Sequence, residues 1–399
     1  MKTILLSAGD LSGEGHGAEL VRVLRERIPD ARFVGMGGAA MAAAGVELSV
    51  DQRQLAVGGI FEIFGSLPRV IRAWRKMLRC LRETRPDLIV LIDSGGFNLP
   101  FARRARAMTN AKILYYIAPQ VWAWRPGRLH RLVDRTDRIA VILPFEKAFY
   151  AEHGVAVDLV GHPAVDGIAS ERMPVTPLEA QAARASLGIE APGPLLGIFP
   201  GSRRNELARH LPIQLDAFLR LREREPDLRH LQGIVGLAPN LDPGEARKII
   251  VRQLARAACP ADAANAIQIT SGDGGLVLDA CDVALVKPGT ITVELMLRRK
   301  PMVVVGRVNT ATAMIAKRSL HIEWLSMPNL IANAAIVPEF LQEAATRDRI
   351  AAALAPLFAG EARAQQIAGL DRASQRLGPP GAARRTAAIV EEMLGTDPT

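Results

Sequence analysis

The run LIVLIDSGGFN, residues 88–98, decides the fold. Five aliphatic residues, Leu88 to Ile92, stop at Asp93, and Ser94, Gly95 and Gly96 follow. An unbroken apolar run of strand length predicts a strand buried on both faces, as in a parallel sheet covered by helices. Open parallel sheets carry their ligand sites at the carboxyl ends of the strands. A carboxylate at that end, followed by glycines that let a substrate approach, makes Asp93 a candidate catalytic group.

The same alternation extends to both sides. KTILLSAG, RFVGMG, KILYYI and RIAVIL read as strands, with helical patterns in GAELVRVLRERI, over 67–84 and in FARRARAM. After VGHPAV, a polar, proline-containing stretch through Pro192 reads as a linker with one helix. A second series follows: PLLGIFPGSR, a helix over 211–223, LQGIVGLAP, a helix near 244–257, AIQIT, VALVKPG, a helix over 290–299 and PMVVVG. The fold class predicted is α/β, with two doubly wound domains over 1–165 and 166–343 facing across a cleft. Ala- and Arg-rich helices over 344–399 complete the chain, and packing back on the first domain is one arrangement open to them. No repeat of solenoid period is present.

The totals agree. At 399 residues the chain is long for one core, and 49% apolar content excludes a disordered protein. The longest apolar runs are strand-length, too short to span a bilayer. The N-terminal MKTILLSAGD brings Asp10 and a glycine-rich turn where a signal peptide would still need apolar residues, so a cytoplasmic location is expected. Cys80, Cys259 and Cys281 form neither a disulfide framework nor a zinc pattern. A net charge of +9 implies an acidic partner: nucleic acid, an anionic membrane or a phosphorylated substrate. An arginine-rich proteome would spread such charge over every surface, so its location matters more than its total.

Five further stretches carry candidate chemistry. In SAGDLSGEGHGAEL (7–20), Gly9, Gly13, Gly15 and Gly17 follow the first strand and open a helix, where backbone N–H groups suit an anion or a sugar. The spacing is not that of a dinucleotide fingerprint. FPGSRRNELARHLP (199–212) sets Ser202, Arg203 and Arg204 at the first turn of the second domain; cations at a helix start oppose the helix dipole, which favours a diphosphate-binding role. VALVKPGTITVELML (283–297) runs a buried strand into Lys287, Pro288, Gly289 and Thr290, where small donors and a helix start suit a phosphate, with Glu294 one turn on, where a carboxylate can accept ribose hydroxyls. IAPQVWAWRPGR (117–128) pairs Trp122 and Trp124 with Arg125 in a proline-bounded loop, a composition that more often lines a pocket or packs a lid. His162 in VGHP caps a crevice or is a satisfied buried histidine. Finally, 57–79 interleaves Phe61, Ile63, Phe64, Leu67, Val70 and Ile71 with Arg69, Arg72, Arg75, Lys76 and Arg79. Such a stretch is either a core-facing amphipathic helix or one that lies on an anionic membrane, with Pro68 in its first turn.

Taken together, AGDLSGEGHG, LAVGGIFEIFG, IDSGGFN, APQVWAWR, LPFEKAFY, VGHP, PGSR, PGTITVE and SMPNLIAN resemble, in order and up to about residue 342, the lipid-A-disaccharide synthases. These are membrane-associated glycosyltransferases of GT-B fold. The resemblance implies an enzyme that joins UDP-2,3-diacylglucosamine to 2,3-diacylglucosamine-1-phosphate through a β-1,6 link, with inversion, release of UDP and no metal or other cofactor. It implies Asp93 as general base towards the acceptor 6-hydroxyl. Arg203 with Ser202, Gly289 with Thr290, Glu294 and Asn329 would serve the UDP-sugar, and Lys287 would join Arg203 at the diphosphate. Ser12, Gly13, Trp122, Arg125 and His162 would line the acceptor side. The 57–79 segment would meet the inner membrane from the cytoplasmic face; nucleic acid is not a partner, and a homodimer is compatible. The sequence departs from the family pattern where GDLSGE replaces GETSGD, exchanging the acids at 10 and 14; where DSGGFN replaces DAPDFN, losing an acid at Gly96; and at Lys287, where a small residue is usual. The readings that compete are a related GT-B enzyme with another acylated or polyprenyl-linked acceptor, an epimerase, and a non-catalytic membrane-surface UDP binder.

Overall fold

The computed structural model describes residues 1–52, 62–124, 129–167, 175–189, 192–257, 264–308 and 323–395, with backbone alone at 11, 12, 62–67, 123 and 124. The chain divides into two units. One holds Met1–Gly167 and Leu377–Thr399, the other Ile168–Arg318 and Ile322–Arg376.

The first unit runs β1 (Thr3–Ala8), α1 (Leu11–Arg27), β2 (Arg32–Gly37), α2 (Ala39–Ala43), β3 (Glu47–Asp51), α3 (Glu62–Thr84), β4 (Leu88–Ile92), α4 (Gly95–Met108), β5 (Lys112–Tyr116), α5 (Val121–Trp124), α6 (Leu129–Val133), β6 (Arg138–Val141), α7 (Pro144–Glu152), β7 (Asp158–Leu159) and α8 (Pro163–Gly167). Its seven strands are all parallel, in the order β3-β2-β1-β4-β5-β6-β7. The strand order therefore reverses between β1 and β4, and the ends of those two strands form the crevice where doubly wound sheets bind ligands.

The second unit runs α9 (Pro177–Ser186), β8 (Leu195–Phe199), α10 (Arg204–Arg224), β9 (Gln232–Leu237), α11 (Pro243–Arg256), β10 (Ile267–Ser271), α12 (Gly274–Ala280), β11 (Val283–Val286), α13 (Ile291–Leu297), β12 (Met302–Gly306), α14 (Met327–Ala332), β13 (Glu339–Leu341), α15 (Arg347–Leu354) and α16 (Gly360–Gln375). Its six parallel strands follow the order β10-β9-β8-β11-β12-β13, with the switch between β8 and β11. A last helix, α17 (Ala382–Leu394), belongs to the first unit.

Every side chain of β4, β8 and β11 is buried, as the uninterrupted apolar runs predict. One face of the first sheet is covered by α1 and α17, the other by α3 and α4. The covering α17 is locked by three separate devices. Asp166 accepts the Gly381 and Ala383 N–H groups at 2.6 and 3.1 Å, capping its start. Arg385 donates to the Val160 carbonyl at 2.7 Å, and Ile389, Val390, Met393 and Leu394 are buried, each contributing about 1.5–3 kcal/mol. The C-terminal residues thus separate: α15 and α16 stay with the second sheet, and only α17 returns to the first.

Two local expectations are corrected. Helix α1 begins at Leu11, six residues before the helical pattern read from Gly17, so Gly13, Gly15 and Gly17 lie within its first two turns. Close packing explains the glycine at 17, where a Cβ would lie 2.9 Å from Met41 Sδ and 3.0 Å from Ile92 Cδ1. Pro68 stands inside α3 and not in its first turn, which costs that helix one backbone hydrogen bond.

Candidate active site

In the first unit the crevice is built around Asp93. Both Asp93 and Ser94 adopt φ of +47°, a left-handed conformation that costs about 1–3 kcal/mol for a residue with a side chain. Hydrogen bonds hold it there. The Asp93 N–H donates to the Tyr116 carbonyl at 3.1 Å, and the Asp93 carbonyl accepts from the Tyr115 hydroxyl at 2.7 Å. Asn98, wholly buried in α4, places its Nδ2 2.9 Å from the same carbonyl, 3.0 Å from that of Ile92 and 3.1 Å from that of Ser7. The Asn98 Oδ1 accepts the Ser7 hydroxyl at 2.6 Å. Burial, aided by the nearby Asp93 charge, raises the Tyr115 pKa well above its ordinary value, so the phenol remains a donor. Gly96 is exposed, and a Cβ there would meet no atom within 4 Å, so the missing acid is not excluded by space.

Asp10 caps α1 by accepting the Gly13 N–H at 2.8 Å, and its other oxygen accepts the Ser94 hydroxyl at 3.0 Å. Ser94 Oγ in turn accepts the Gly9 N–H at 3.1 Å. The shorter acid thus stays within the β1–β4 crevice. The longer Glu14 is buried and reaches away from it, accepting the Ala40 N–H at 2.7 Å and the Gln52 amide. The exchange of lengths at 10 and 14 therefore has two distinct sets of partners. Gly13 is in this packing by contact, with a Cβ placed 3.0 Å from Asp10 Oδ1; the Ser12 side chain lies outside the described residues. His162 is buried, and its Nδ1 accepts the Ala164 N–H at 3.1 Å. Burial pushes its pKa down to about 4 and lowers that of His16 as well, so His162 is a neutral turn-holding residue at pH 7.

Trp122 does not line an open pocket. It is 8% exposed, packs edge-on against Phe145 with centroids 4.8 Å apart, and donates Nε1–H to Glu146 Oε1 at 3.1 Å. Glu146 Oε2 accepts the Ile142 and Leu143 N–H groups at 3.1 and 3.0 Å. The motifs APQVWAWR and LPFEKAFY are thereby one clamp, which fixes the segment leaving β5 next to Asp93. Burial raises the Glu146 pKa to about 7 against the pull of its three N–H donors. Arg125 lies outside the described residues.

In the second unit the turn after β8 is shaped by Glu206, a residue the sequence reading passed over. Gly201 has φ of +119° and packs against the Glu206 side chain so closely that no Cβ would fit. Glu206 Oε2 accepts the N–H groups of Ser202 and Arg203 at 3.0 and 3.3 Å, while Oε1 pairs with Lys287 Nζ at 3.0 Å. Burial opposes ionisation of Glu206, but Lys287 and the other donors prevail and hold its pKa below the ordinary value. Lys287 is therefore engaged with Glu206, at the turn where Ser202 and Arg203 stand. His210 Nε2 accepts the Arg307 N–H at 3.1 Å, which leaves Nδ1 to donate to the Glu206 carbonyl at 2.9 Å. Arg203 extends into solvent, 64% exposed.

After β11, Gly289 stands in a bend and accepts the Thr292 hydroxyl on its carbonyl at 2.7 Å, and Thr290 is exposed just before α13. Glu294, half-buried, has Arg298 3.9 Å away, and burial raises its pKa. The side-chain amide of Asn329 is filled by internal partners. It is fully buried, donates to the Val337 carbonyl and Glu339 at 2.8 and 2.9 Å, and accepts the Ile336 and Val337 N–H groups at 2.8 Å each. Its role is to fix Glu339, which also accepts the Leu325 and Ser326 N–H groups, so it orders the 325–329 turn from beneath.

On α3, Arg69, Arg72, Arg75, Lys76 and Arg79 are exposed, Ile71 is 40% exposed and Val70 is half-buried. Phe61 and the side chains of Ile63, Phe64 and Leu67 lie outside the described residues. Among the described residues no helix is long and apolar enough to cross a membrane, and no group of three or more His, Cys, Asp or Glu side chains converges as a metal site would.

Two doubly wound parallel sheets, each with small residues and charged groups at its switch point, make the two Rossmann-like halves of the GT-B fold. Solved structures of that fold match the whole chain: a UDP-GlcNAc 2-epimerase from Neisseria meningitidis bound to UDP-GlcNAc, at 13% identity and TM-score 0.60, covering 99% of this chain and 100% of that one; and a glycosyltransferase from Rickettsia africae, at 14% and 0.57, covering 99% of each. The family model described as lipid-A-disaccharide synthetase matches residues 4–392. A lipid-A-disaccharide synthase of Geobacter sulfurreducens is 37% identical over 395 residues, 98% of this chain and 97% of that protein. The chain belongs to the lipid-A-disaccharide synthase family, and is a glycosyltransferase of lipid A synthesis.

Proposed function

We propose that the enzyme transfers the sugar of UDP-2,3-diacylglucosamine to the 6-hydroxyl of 2,3-diacylglucosamine-1-phosphate with inversion, forming a β-1,6 disaccharide and UDP. The observation that carries this reading is the Asp93 carboxylate at a switch-point strand end whose main chain is held on both sides. Asp93 takes the proton of the acceptor hydroxyl as that oxygen attacks the anomeric carbon, a role worth about 10²–10⁴-fold in rate. The bond from the anomeric carbon to the UDP oxygen breaks, and its electron pair leaves with the diphosphate. Arg203, exposed and unburdened by burial, neutralises that developing charge, with Ser202, Gly289 and Thr290 beside the phosphates. Glu294 accepts the ribose hydroxyls. The exposed cations and Ile71 of α3 hold the enzyme to an anionic membrane surface, where its acylated substrates reside.

The test is mass spectrometry of the product formed from a defined acylated donor and acceptor. A disaccharide 1-phosphate, with UDP released only when both substrates are present, supports the reading. UDP release without acceptor, or a modified donor alone, points to an epimerase or another acceptor and refutes it.

A further inference from the structure

Resting on the reading of Asp93 as base, we infer that Asn98 is the positioning residue of the reaction, acting through the Asp93 peptide without touching substrate. Four facts lead there. Asn98 is a polar side chain with no exposed surface, in a helix whose nearby Leu99 and Phe101 are also buried. Its Nδ2 group lies within 3.1 Å of three main-chain carbonyls, those of Ser7, Ile92 and Asp93, which belong to the ends of β1 and β4. These are the two strands on either side of the switch point, so one amide ties both lips of the crevice. The Ser7 hydroxyl, itself fully buried, donates to Asn98 Oδ1 at 2.6 Å, which fixes the amide with its Nδ2 towards the carbonyls.

The consequence concerns the carboxylate. Asp93 and Ser94 both hold left-handed backbone, so their side chains leave the strand in a direction the extended chain would not give. With the Asp93 carbonyl released from Asn98, the residue relaxes towards extended backbone and its carboxylate swings away from that direction. Tyr115, donating to the same carbonyl at 2.7 Å, supports the arrangement as a second, weaker brace from β5. Catalytic geometry tolerates little displacement, and a shift of about 1 Å costs on the order of 10²-fold.

The experiment is a double-mutant cycle on the full chain with Asp93→Asn, Asn98→Leu, the pair, and Tyr115→Phe. UDP affinity by calorimetry and the thermal midpoint confirm folding in each. The inference expects Asn98→Leu to lower kcat about 100-fold with the donor KM within threefold, and Tyr115→Phe to lower it about fivefold. It expects the pair to be no slower than Asp93→Asn alone, because Asn98 has no other route to the chemistry. A multiplicative loss in the pair, or a rise in donor KM that accounts for the whole effect, makes Asn98 a merely structural residue and overturns the inference. Should Asn98→Leu not fold, Tyr115→Phe carries the same cycle: unchanged kcat, or a loss that multiplies with that of Asp93→Asn, overturns it. Full turnover in Asp93→Asn refutes instead the reading of the base, so the two failures are distinct.

Discussion

Replacing Glu146 by glutamine is expected to remove a pH dependence from the stability of the fold. Glu146 is 2% exposed, and burial raises its pKa from 4.5 to about 7. A carboxyl whose folded pKa lies above its unfolded one is favoured folded while it is protonated in both states, below 4.5. That stability is lost as pH rises through about 7, where the folded group ionises too. Integrating the two titrations between pH 5 and pH 8 gives a loss of about 2–3 kcal/mol for this group alone, most of its whole contribution. Glutamine does not titrate, so the difference in unfolding free energy, wild type minus Glu146→Gln, should fall by about 2–3 kcal/mol over that range. Urea titrations at pH 5, 6, 7 and 8, followed by tryptophan fluorescence, measure it directly. A difference that stays flat, or grows with pH, would mean that the Trp122, Ile142 and Leu143 donors outweigh burial, and the argument for this clamp would fail.

Lys287→Met should destabilise by about 1–3 kcal/mol, leaving a half-buried Glu206 without its cation, and should raise the donor KM about tenfold. If Lys287 works through Glu206, Glu206→Gln gives the same KM and the pair is no worse; a lower KM in Glu206→Gln would show that Lys287 instead seeks the diphosphate itself. Asn329→Ala strands the buried Val337 N–H group, leaves the Ile336 N–H with the Ala334 carbonyl alone, and should cost about 1–3 kcal/mol in urea unfolding; a loss below about 0.5 kcal/mol contradicts its assigned place. Ile71→Glu should cut co-sedimentation with anionic vesicles about tenfold while leaving UDP affinity intact, and unchanged sedimentation would assign α3 a purely structural face.

Much of the frame is legible in the residues. Unbroken runs such as Leu88–Ile92 and Val283–Val286 can only be buried strands of a covered parallel sheet, and the groups that follow them mark the switch points. The groups that organise those points are hidden for a physical reason. Asn98, Tyr115, Glu206 and Glu339 act by hydrogen bonds to backbone groups or distant side chains, and a sequence does not display which carbonyl lies within 3 Å of an amide 91 residues away. One of them left a trace, as did Glu146: Glu206 and Glu146 stand at the third position of their helices, the spacing at which a carboxylate folds back to cap the preceding N–H groups. Trp122, singled out by its proline-bounded loop, and Asn329, singled out by the family resemblance, each give their side-chain polar atoms to internal partners that no spacing displays.

The central claim, that Asp93 is the base of a glycosyl transfer, is tested most directly by the turnover of Asp93→Asn with defined acylated donor and acceptor, measured beside its affinity for UDP. The account predicts a loss of at least 10³-fold in kcat with UDP binding unchanged. Turnover within tenfold of the wild type, with UDP still bound, would contradict it.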